Sequence, residues 1–422
     1  MAPDLRLGNS TALGPVKIIK YRRFGGAGGG DNLKKNSQMK IGIDIRTLMD
    51  ARYSGVSIYT LNLIREILKL DRKNEFKLFY NSGRDVRSRL PDFTYTNAKI
   101  ISCGYPNKIF NYIMQKGLGW PRIDKILGGV DVFWQPHINF ISLSSACRKV
   151  LTIHDLSFLR YPEFFNLRKN LWHYIINAKK LVSGFDKIIA VSENTKKDII
   201  ELCEVDKAKI AVIYSGVEER YKLRDISSEE SGKIRKKYGL PARFILYLGN
   251  LEPRKNINGI IKAYERLREG HKYLNNVKLV IAGHRSWKSG SIIKEREKSK
   301  YKDSINFLGY IGSQDKIVLY RLAEIFVFPS FYEGFGFPAL EAMASGTPLV
   351  LSYASSLPEI TNKSGIYVNP YNTKEIAEAM ARILEDNNLR DNYIKAGKAQ
   401  ADIFSWQSAA KEYLKILKLL AN

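Results

Sequence analysis

From Met39 onward, short apolar runs alternate with stretches of helical spacing, and this alternation predicts a chain built of strands and helices in turn. Seven runs come first: KIGIDIR from Lys40, EFKLFYN from Glu75, AKIISC from Ala98, DVFWQPH from Asp131, KVLTIHD from Lys149, DKIIAVS from Asp186 and KIAVIY from Lys209. They are rich in β-branched and aromatic residues, as buried strands are, and helical patterns such as Ser57 to Leu70 fall between several of them. A polar, charged break at 215–231 follows, ending near GKIRKKYGLP. A second series then runs through FILYLGN, VKLVIAG, SINFLGY, EIFVFPS, TPLVLSY and GIYVNP. Strand–helix alternation implies parallel sheets covered by helices, so the expected class is α/β, with two Rossmann-like domains and a cleft between them. The expected divisions are a first domain at 39–214, a linker at 215–231, a second domain at 232–402 and a closing helix at 403–422, where Trp406 joins a 3.6-residue apolar repeat. Residues 1–38 show no sustained periodicity and carry GGAGGG at 25–30, which predicts a disordered leader ahead of a second start at Met39. No apolar core in that leader precedes a small-residue cleavage site as a secretory signal would need.

Bulk composition bounds the function without selecting it. A chain of 422 residues can hold two domains with separate cores. No apolar run approaches the roughly 18 residues of a membrane span. Cys103, Cys147 and Cys203 are odd in number and widely spaced in strand-like sequence, which suits buried thiols in a reducing cytoplasm. The five histidines have no zinc spacing, and the chain has no Asp-x-Asp pair to clamp a metal. The net charge of +26 narrows the partners to anions: nucleic acid, an acidic membrane surface or phosphate-bearing substrates. Lys and Arg outnumber Asp and Glu by 7 to 2 in residues 1–38, by 29 to 19 in 39–220 and by 32 to 21 thereafter. That even spread argues against a nucleic-acid reader, which concentrates its charge on one face.

Ligands of parallel sheets bind beyond the carboxyl ends of the strands, so candidate chemistry is sought there. The sharpest candidate is EIFVFPSFYEGFGFPALEAMASGTPLV at 324–350, which reads as a strand, a glycine turn and a helix start. Gly334 and Gly336 free the backbone for close approach, and Pro338 suits a first helical turn. Unpaired amides around Phe337 to Leu340, reinforced by the helix dipole, would favour a diphosphate. Glu333 precedes the turn; Glu341 lies one turn into the helix with its side chain leaning back toward the same end. Ala339, Leu340, Ala342 and Met343 read as core residues rather than ligands. Arg254 and Lys255, in NLEPRKN after the strand FILYLGN, form a second motif: two cations at a helix start are disfavoured unless an anion offsets them. Gly283-His284, Tyr310-Ile311, His154-Asp155, His137 and Gly55 also follow strands or open helices.

Taken together these motifs resemble the Glu-x7-Glu signature and basic pair of retaining glycosyltransferase family 4, over about residues 39–420. The resemblance implies the GT-B fold, with the last helix crossing back to the first domain, and transfer of a hexose from a nucleotide diphosphate sugar without a metal or other cofactor. It implies that Glu333 lies beside the donor sugar, that Glu341 accepts hydrogen bonds from the ribose, and that Gly334, Phe335, Gly336, Phe337, Leu340, Tyr310 and Ile311 line the nucleotide sugar. Lys255 matches the lysine that grips the diphosphate. The usual arginine position holds Asn250 here, which moves the arginine role to Arg254. His154 would face the donor sugar, Gly55 would lie beside donor and acceptor, and Ser356 and Glu359 of SSLPEI would sit under the nucleotide. LEPRKN is similar to bacterial polysaccharide mannosyltransferases, which points to GDP-mannose as donor and to a glycan or lipid-linked glycan acceptor. A sugar phosphorylase or sugar-nucleotide epimerase of the same fold is the alternative, and a nucleic-acid-binding protein the third. One more segment bears on location: in YPNKIFNYIMQKGLGWPRIDKILG at 105–128, Ile109, Phe110, Tyr112, Ile113, Met114 and Trp120 interleave with Lys108, Lys116, Arg122 and Lys125. Such a segment can lie in the headgroup layer of an acidic membrane at the cytoplasmic face, or its apolar members can be core and its lysines solvated.

Overall fold

The computed structural model describes residues 18–20, 38–50, 53–115, 119–222 and 225–421. Apart from Ile18–Lys20 and Gln38, the expected leader lies outside the described residues, as does Lys116. Two compact units emerge: 1–151 with 410–422, and 152–409.

In the first unit the strands are parallel, with neighbours in the order Ile18–Lys20, Ala98–Ser102, Glu75–Tyr80, Lys40–Asp44, Val132–Gln135 and Arg148–Ile153. Ile18–Lys20 pairs where the sequence pattern gave no element. The helix Gly55–Leu70 begins behind Ser54, whose side chain accepts from the Ser57 amide while Ser57 returns a bond to the Ser54 backbone. Its Tyr59, Leu63, Ile64 and Ile67 are buried at the spacing of one helix face. The C-terminal helix Trp406–Ala421 brings Tyr413 onto Trp134, with ring centroids 5.0 Å apart, and joins its hydroxyl to that of Tyr59 at 2.5 Å.

In the second unit Lys187–Ala190 pairs in parallel with Ile210–Val212. A six-stranded parallel sheet follows in the order Ile305–Gly309, Val277–Ala282, Arg243–Leu248, Ile325–Phe328, Leu349–Ser352, Gly365–Val368. Phe244 to Tyr247, Leu279 to Ala282 and Ile325 to Phe328 are wholly buried, because helices cover both faces of a parallel sheet. All thirteen expected runs therefore contain a strand. The charged run read as the end of a linker is instead the start of a helix, Ser228–Tyr238. Ser227 caps it by accepting from the Glu230 amide, Glu229 and Glu230 sit at its positive end, and Arg235 to Lys237 at its negative end.

The segment at 105–128 divides. Along the helix Asn107–Gln115, Phe110 and Met114 are buried in a cluster with Phe79, Ile123 and Phe133, whereas Ile109 and Tyr112, together with Trp120, are about half exposed. Neither a wholly interfacial nor a wholly core reading describes it, because a helix resting on a sheet presents only one face to it. Among the described residues no helix is long and apolar enough to cross a membrane.

Candidate active site

The second unit brings the two strongest sequence motifs together through strand order. Arg243–Leu248 and Ile325–Phe328 are hydrogen-bonded neighbours, so their following loops emerge side by side although about eighty residues separate them. The Phe331 amide donates to the Arg254 carbonyl at 2.8 Å and ties the loops together. Lys255 Nζ then donates to Glu333 Oε1 at 2.5 Å, and Arg254 Nη1 donates to Glu333 Oε2 at 3.1 Å and to the Tyr332 carbonyl at 2.7 Å. Glu252, which the sequence reading did not single out, sits 3.4 Å from Arg254 Nη2 and is buried. The anion demanded by two cations at a helix start is thus supplied within the protein by Glu252 and Glu333.

Glu252, Lys255 and Glu333 are nearly shut off from water and Arg254 is only partly exposed, which makes their interactions strong and their balance consequential. Burial pushes the Glu333 carboxyl up, but Lys255 and Arg254 outweigh it and hold the group below the usual carboxylate value. Burial and then the neighbouring Arg254 charge pull Lys255 below the ordinary ammonium value, with Glu333 and Glu252 restoring part of it. Arg254 keeps its charge: burial opposes it, and Glu333, Glu252 and Asp155 more than compensate. Asp155, partly exposed, would be raised by desolvation; Arg254 and two bonds from Ser157 leave it lowered.

The glycine turn has a more specific reason than ligand access. A Cβ on Gly334 would come within 1.7 Å of the His154 carbonyl oxygen, and the Gly334 carbonyl accepts from Ser192 Oγ at 2.7 Å and from Thr195 Oγ1 at 3.2 Å. What crowds Gly334 is protein backbone, and the contact sets His154 beside the turn. Gly336 adopts φ +96°, a left-handed conformation, and opens the helix Phe337–Ala344. The amides of Ala339 and Leu340 donate to the Gly336 carbonyl, which corrects the expectation that every amide up to Leu340 faces outward; those of Gly336 and Phe337 are the donors the helix itself does not use. Phe335 and Leu340 point their side chains into the core, with Phe335 against Phe337 and Phe404, so only their backbone can serve a ligand.

Glu341 is buried, and Tyr320 donates to its Oε2 at 3.0 Å. Tyr221 packs against Tyr320 with ring centroids 6.2 Å apart; burial first, then the Glu341 charge, push both phenols far above their ordinary value, so both keep their protons. No local signal in the sequence could have paired these tyrosines with Glu341. Glu252 had one, since it stands two residues before Arg254.

The remaining candidates divide. Ser356 Oγ donates to the Glu333 carbonyl at 3.0 Å, and the Glu333 amide donates to Ser355 Oγ at 2.7 Å, so this loop holds Glu333 from behind. Glu359 does not lie open to a nucleotide: its carboxylate accepts from the amides of Glu193 at 2.6 Å and Asn194 at 3.2 Å, because the helix Glu193–Cys203 exposes unpaired amides there. Ile311 is buried, Tyr310 half exposed and Asn250 exposed, its carbonyl accepting from Tyr247. In the first unit Gly55 begins the helix Gly55–Leu70, and the His137 Nε2 lies 3.3 Å from Asn139 Nδ2. Among the described residues no three His, Cys, Asp or Glu side chains converge as ligands for a metal.

Comparison with known proteins places this geometry. Residues 53–221 match the family model "Glycosyltransferase Family 4" and residues 230–400 match "Glycosyl transferases group 1". O-antigen chain mannosyltransferase B of Escherichia coli is 33% identical over 280 residues, covering 65% of this chain and 71% of that one. Serotype-specific mannosyltransferase WbdA of the same organism is 30% identical over 263 residues, which is 62% of this chain but only 32% of that longer protein. Sucrose-phosphate synthase from Thermosynechococcus elongatus superposes with a TM-score of 0.68 at 18% identity, over 91% of this chain and 99% of that one, which establishes a shared fold. With two Rossmann-like parallel sheets, both family models in chain order and a mannosyltransferase relative aligned over most of its length, the chain belongs to the family 4 glycosyltransferases of GT-B fold.

Proposed function

We propose that the protein transfers mannose from GDP-mannose to a glycan or lipid-linked glycan in surface polysaccharide synthesis, with retention of anomeric configuration and without a metal. The observation that carries this reading is the buried Glu333, Arg254 and Lys255 cluster beside the Gly334–Gly336 turn. Departure of a nucleoside diphosphate builds negative charge on the leaving phosphate and positive charge at the sugar C1. Lys255, Arg254 and the amides of Gly336 and Phe337 meet the first; the Glu333 carboxylate, kept ionised by its neighbours, meets the second and positions the sugar hydroxyls. Glu341, oriented by Tyr320, receives the ribose. Same-face attack assisted by the leaving phosphate is the route to retention, with Glu333 as an electrostatic and positioning group. The relatives named for mannosyl transfer into O-antigen support mannose and a polysaccharide acceptor.

The half-exposed Ile109, Tyr112 and Trp120 beside Lys108, Arg122 and Lys125 support peripheral binding at an anionic, cytoplasmic membrane face. The deciding experiment is turnover against a panel of nucleotide sugars with acceptor present and absent, with the anomeric configuration of the product read by NMR. GDP-mannose consumed with an α-linked product, unaffected by chelator, is the expected result. Dependence on added Mg²⁺ or Mn²⁺ would overturn the metal-free design. Release of free UDP-sugar isomers without acceptor would favour the epimerase.

A further inference from the structure

The helix Leu167–Ile176 in the second unit is inside out. Asn166 caps it by accepting from the Lys169 amide at 2.9 Å, so its start and rotation are set locally. The face turned toward the protein carries Lys169, His173 and Ile176 at helical spacing. Lys169 Nζ rests 3.0 Å from the centroid of the Trp287 ring, and His173 stacks on Phe158 with centroids 4.0 Å apart. Trp287 is in turn held by its Nε1 donating to the Phe164 carbonyl and by stacking on Phe165. These contacts fix the opposite face outward, and that face is apolar: Leu167 is 89% exposed, Tyr174 83% and Leu171 59%, with Trp172 and Ile175 at its edges. An ordinary surface helix has the reverse arrangement. An exposed patch of this size on a protein marks a contact.

Charge chooses the occupant. From Phe164 to Phe185 there is no Asp or Glu, and Arg168 and Lys180 are exposed cations, while Lys169 lies inward on Trp287 and Lys179 pairs with Glu204. We propose that this face docks into the headgroup layer of an anionic bilayer, with Leu167 and Leu171 entering the acyl boundary and Trp172 and Tyr174 at the interface. Leucines seated among aromatic and basic residues have the composition of an in-plane interfacial helix. A second copy of the chain is the poorer occupant, because a two-fold contact would bring the exposed Arg168 of both copies close together on a chain of net charge +26. The inference rests on the membrane-surface reading above and gives it a contact independent of residues 105–128.

The test is sedimentation of the full-length protein at low salt with vesicles of equal parts phosphatidylglycerol and phosphatidylcholine, and with phosphatidylcholine alone. The Leu167→Glu/Leu171→Glu variant is expected to lose at least about tenfold in partitioning onto the anionic vesicles, since each change replaces a buried apolar contact by a repelled charge. Its nucleotide-sugar hydrolysis and thermal midpoint are expected to stay at wild-type values, both side chains being on the surface. A second variant, Leu167→Ala/Leu171→Ala, should fall between. Partitioning of the Glu variant equal to wild type would overturn the proposal, as would equal binding of the wild type to both vesicles. So would a wild-type dimer that the variant dissociates with vesicle binding unchanged. Loss on neutralising Lys108, Lys116, Arg122 and Lys125, with none in the helix variant, would leave the membrane reading standing on the other segment and remove this one.

Discussion

Each unit keeps a buried carboxylate–cation cluster at the carboxyl edge of its sheet, and the two are built to opposite ends. In the first, Asp44 closes the strand Lys40–Asp44 and Arg46 opens the next turn; Arg46 Nε reaches both Asp44 oxygens at 3.0 Å and Nη2 reaches one at 2.6 Å. One charge meets one charge, two residues apart, and Arg46 spends a further bond on the Phe140 carbonyl. In the second, Glu252, Arg254, Lys255 and Glu333 come from two loops, and Glu333 is shared between both cations. Closing a pair on itself makes a structural link. The second cluster also balances, two carboxylates for two cations, but it is drawn from two loops beyond the strand ends where parallel sheets bind ligands, which is the placement the proposed leaving-group site requires.

The sharpest way to break the comparison is to remove one carboxylate from the closed pair. Asp44→Ala should cost about 3–5 kcal/mol of stability, since it leaves the Arg46 charge buried and uncompensated; a denaturant midpoint within error of wild type would show that the pair is not structural. Lys255→Ala should lower turnover by about two orders of magnitude with a much smaller loss of stability, because it removes a leaving-group stabiliser while Arg254 still faces Glu333. Steady-state kinetics beside a thermal melt separates these outcomes. The two glutamates sharpen the contrast within the second unit. Glu333→Ala should act mainly on turnover, and Glu341→Ala mainly on donor KM. Tyr320→Phe should raise donor KM by only about fivefold, as loss of a hydroxyl orienting Glu341 would; an unchanged KM in Glu341→Ala would take that residue out of the site.

The smallest effect is pH dependence. Asp44 and Glu333 are both held below their ordinary values, Asp44 against its burial by Arg46 and Glu333 against its burial by Lys255 and Arg254. Each therefore contributes stability that is complete above the unfolded carboxylate values of about 4 and is lost as pH falls through the lower folded value. Asp44→Asn should start less stable at neutral pH and decline less steeply in acid. A parallel decline would show that Asp44 titrates alike in both states.

Much of this was legible beforehand for identifiable reasons. Strands appeared wherever β-branched and aromatic runs were bounded by turns, because such runs bury on both sheet faces wherever they fall. Arg254 and Lys255 stood out because two cations at a helix start call for an offsetting anion, and Glu333 because it precedes a glycine turn. Glu359 was misplaced because nothing in SSLPEI announces that a helix beginning at Glu193 lies within reach to take its carboxylate. Only the first turn of Ser228–Tyr238 falls within the linker expected at 215–231, because capping residues and a charge gradient are weaker signals than hydrophobic period.

The sequence by itself determined the alternation of strand and helix, the glycine turn, the pair of glutamates eight residues apart and the basic pair. These depend on local backbone freedom and on spacing along one chain. Only tertiary structure decided that Arg243–Leu248 lies beside Ile325–Phe328, so that Glu333 reaches two cations about eighty residues away. It also decided that Gly334 must lack a side chain because the His154 backbone is there, that Tyr320 holds Glu341, and that the helix Leu167–Ile176 turns its leucines outward. The physical reason is common to all four: each is a contact between segments distant in sequence, and strand order and packing, not local propensity, choose which segments meet.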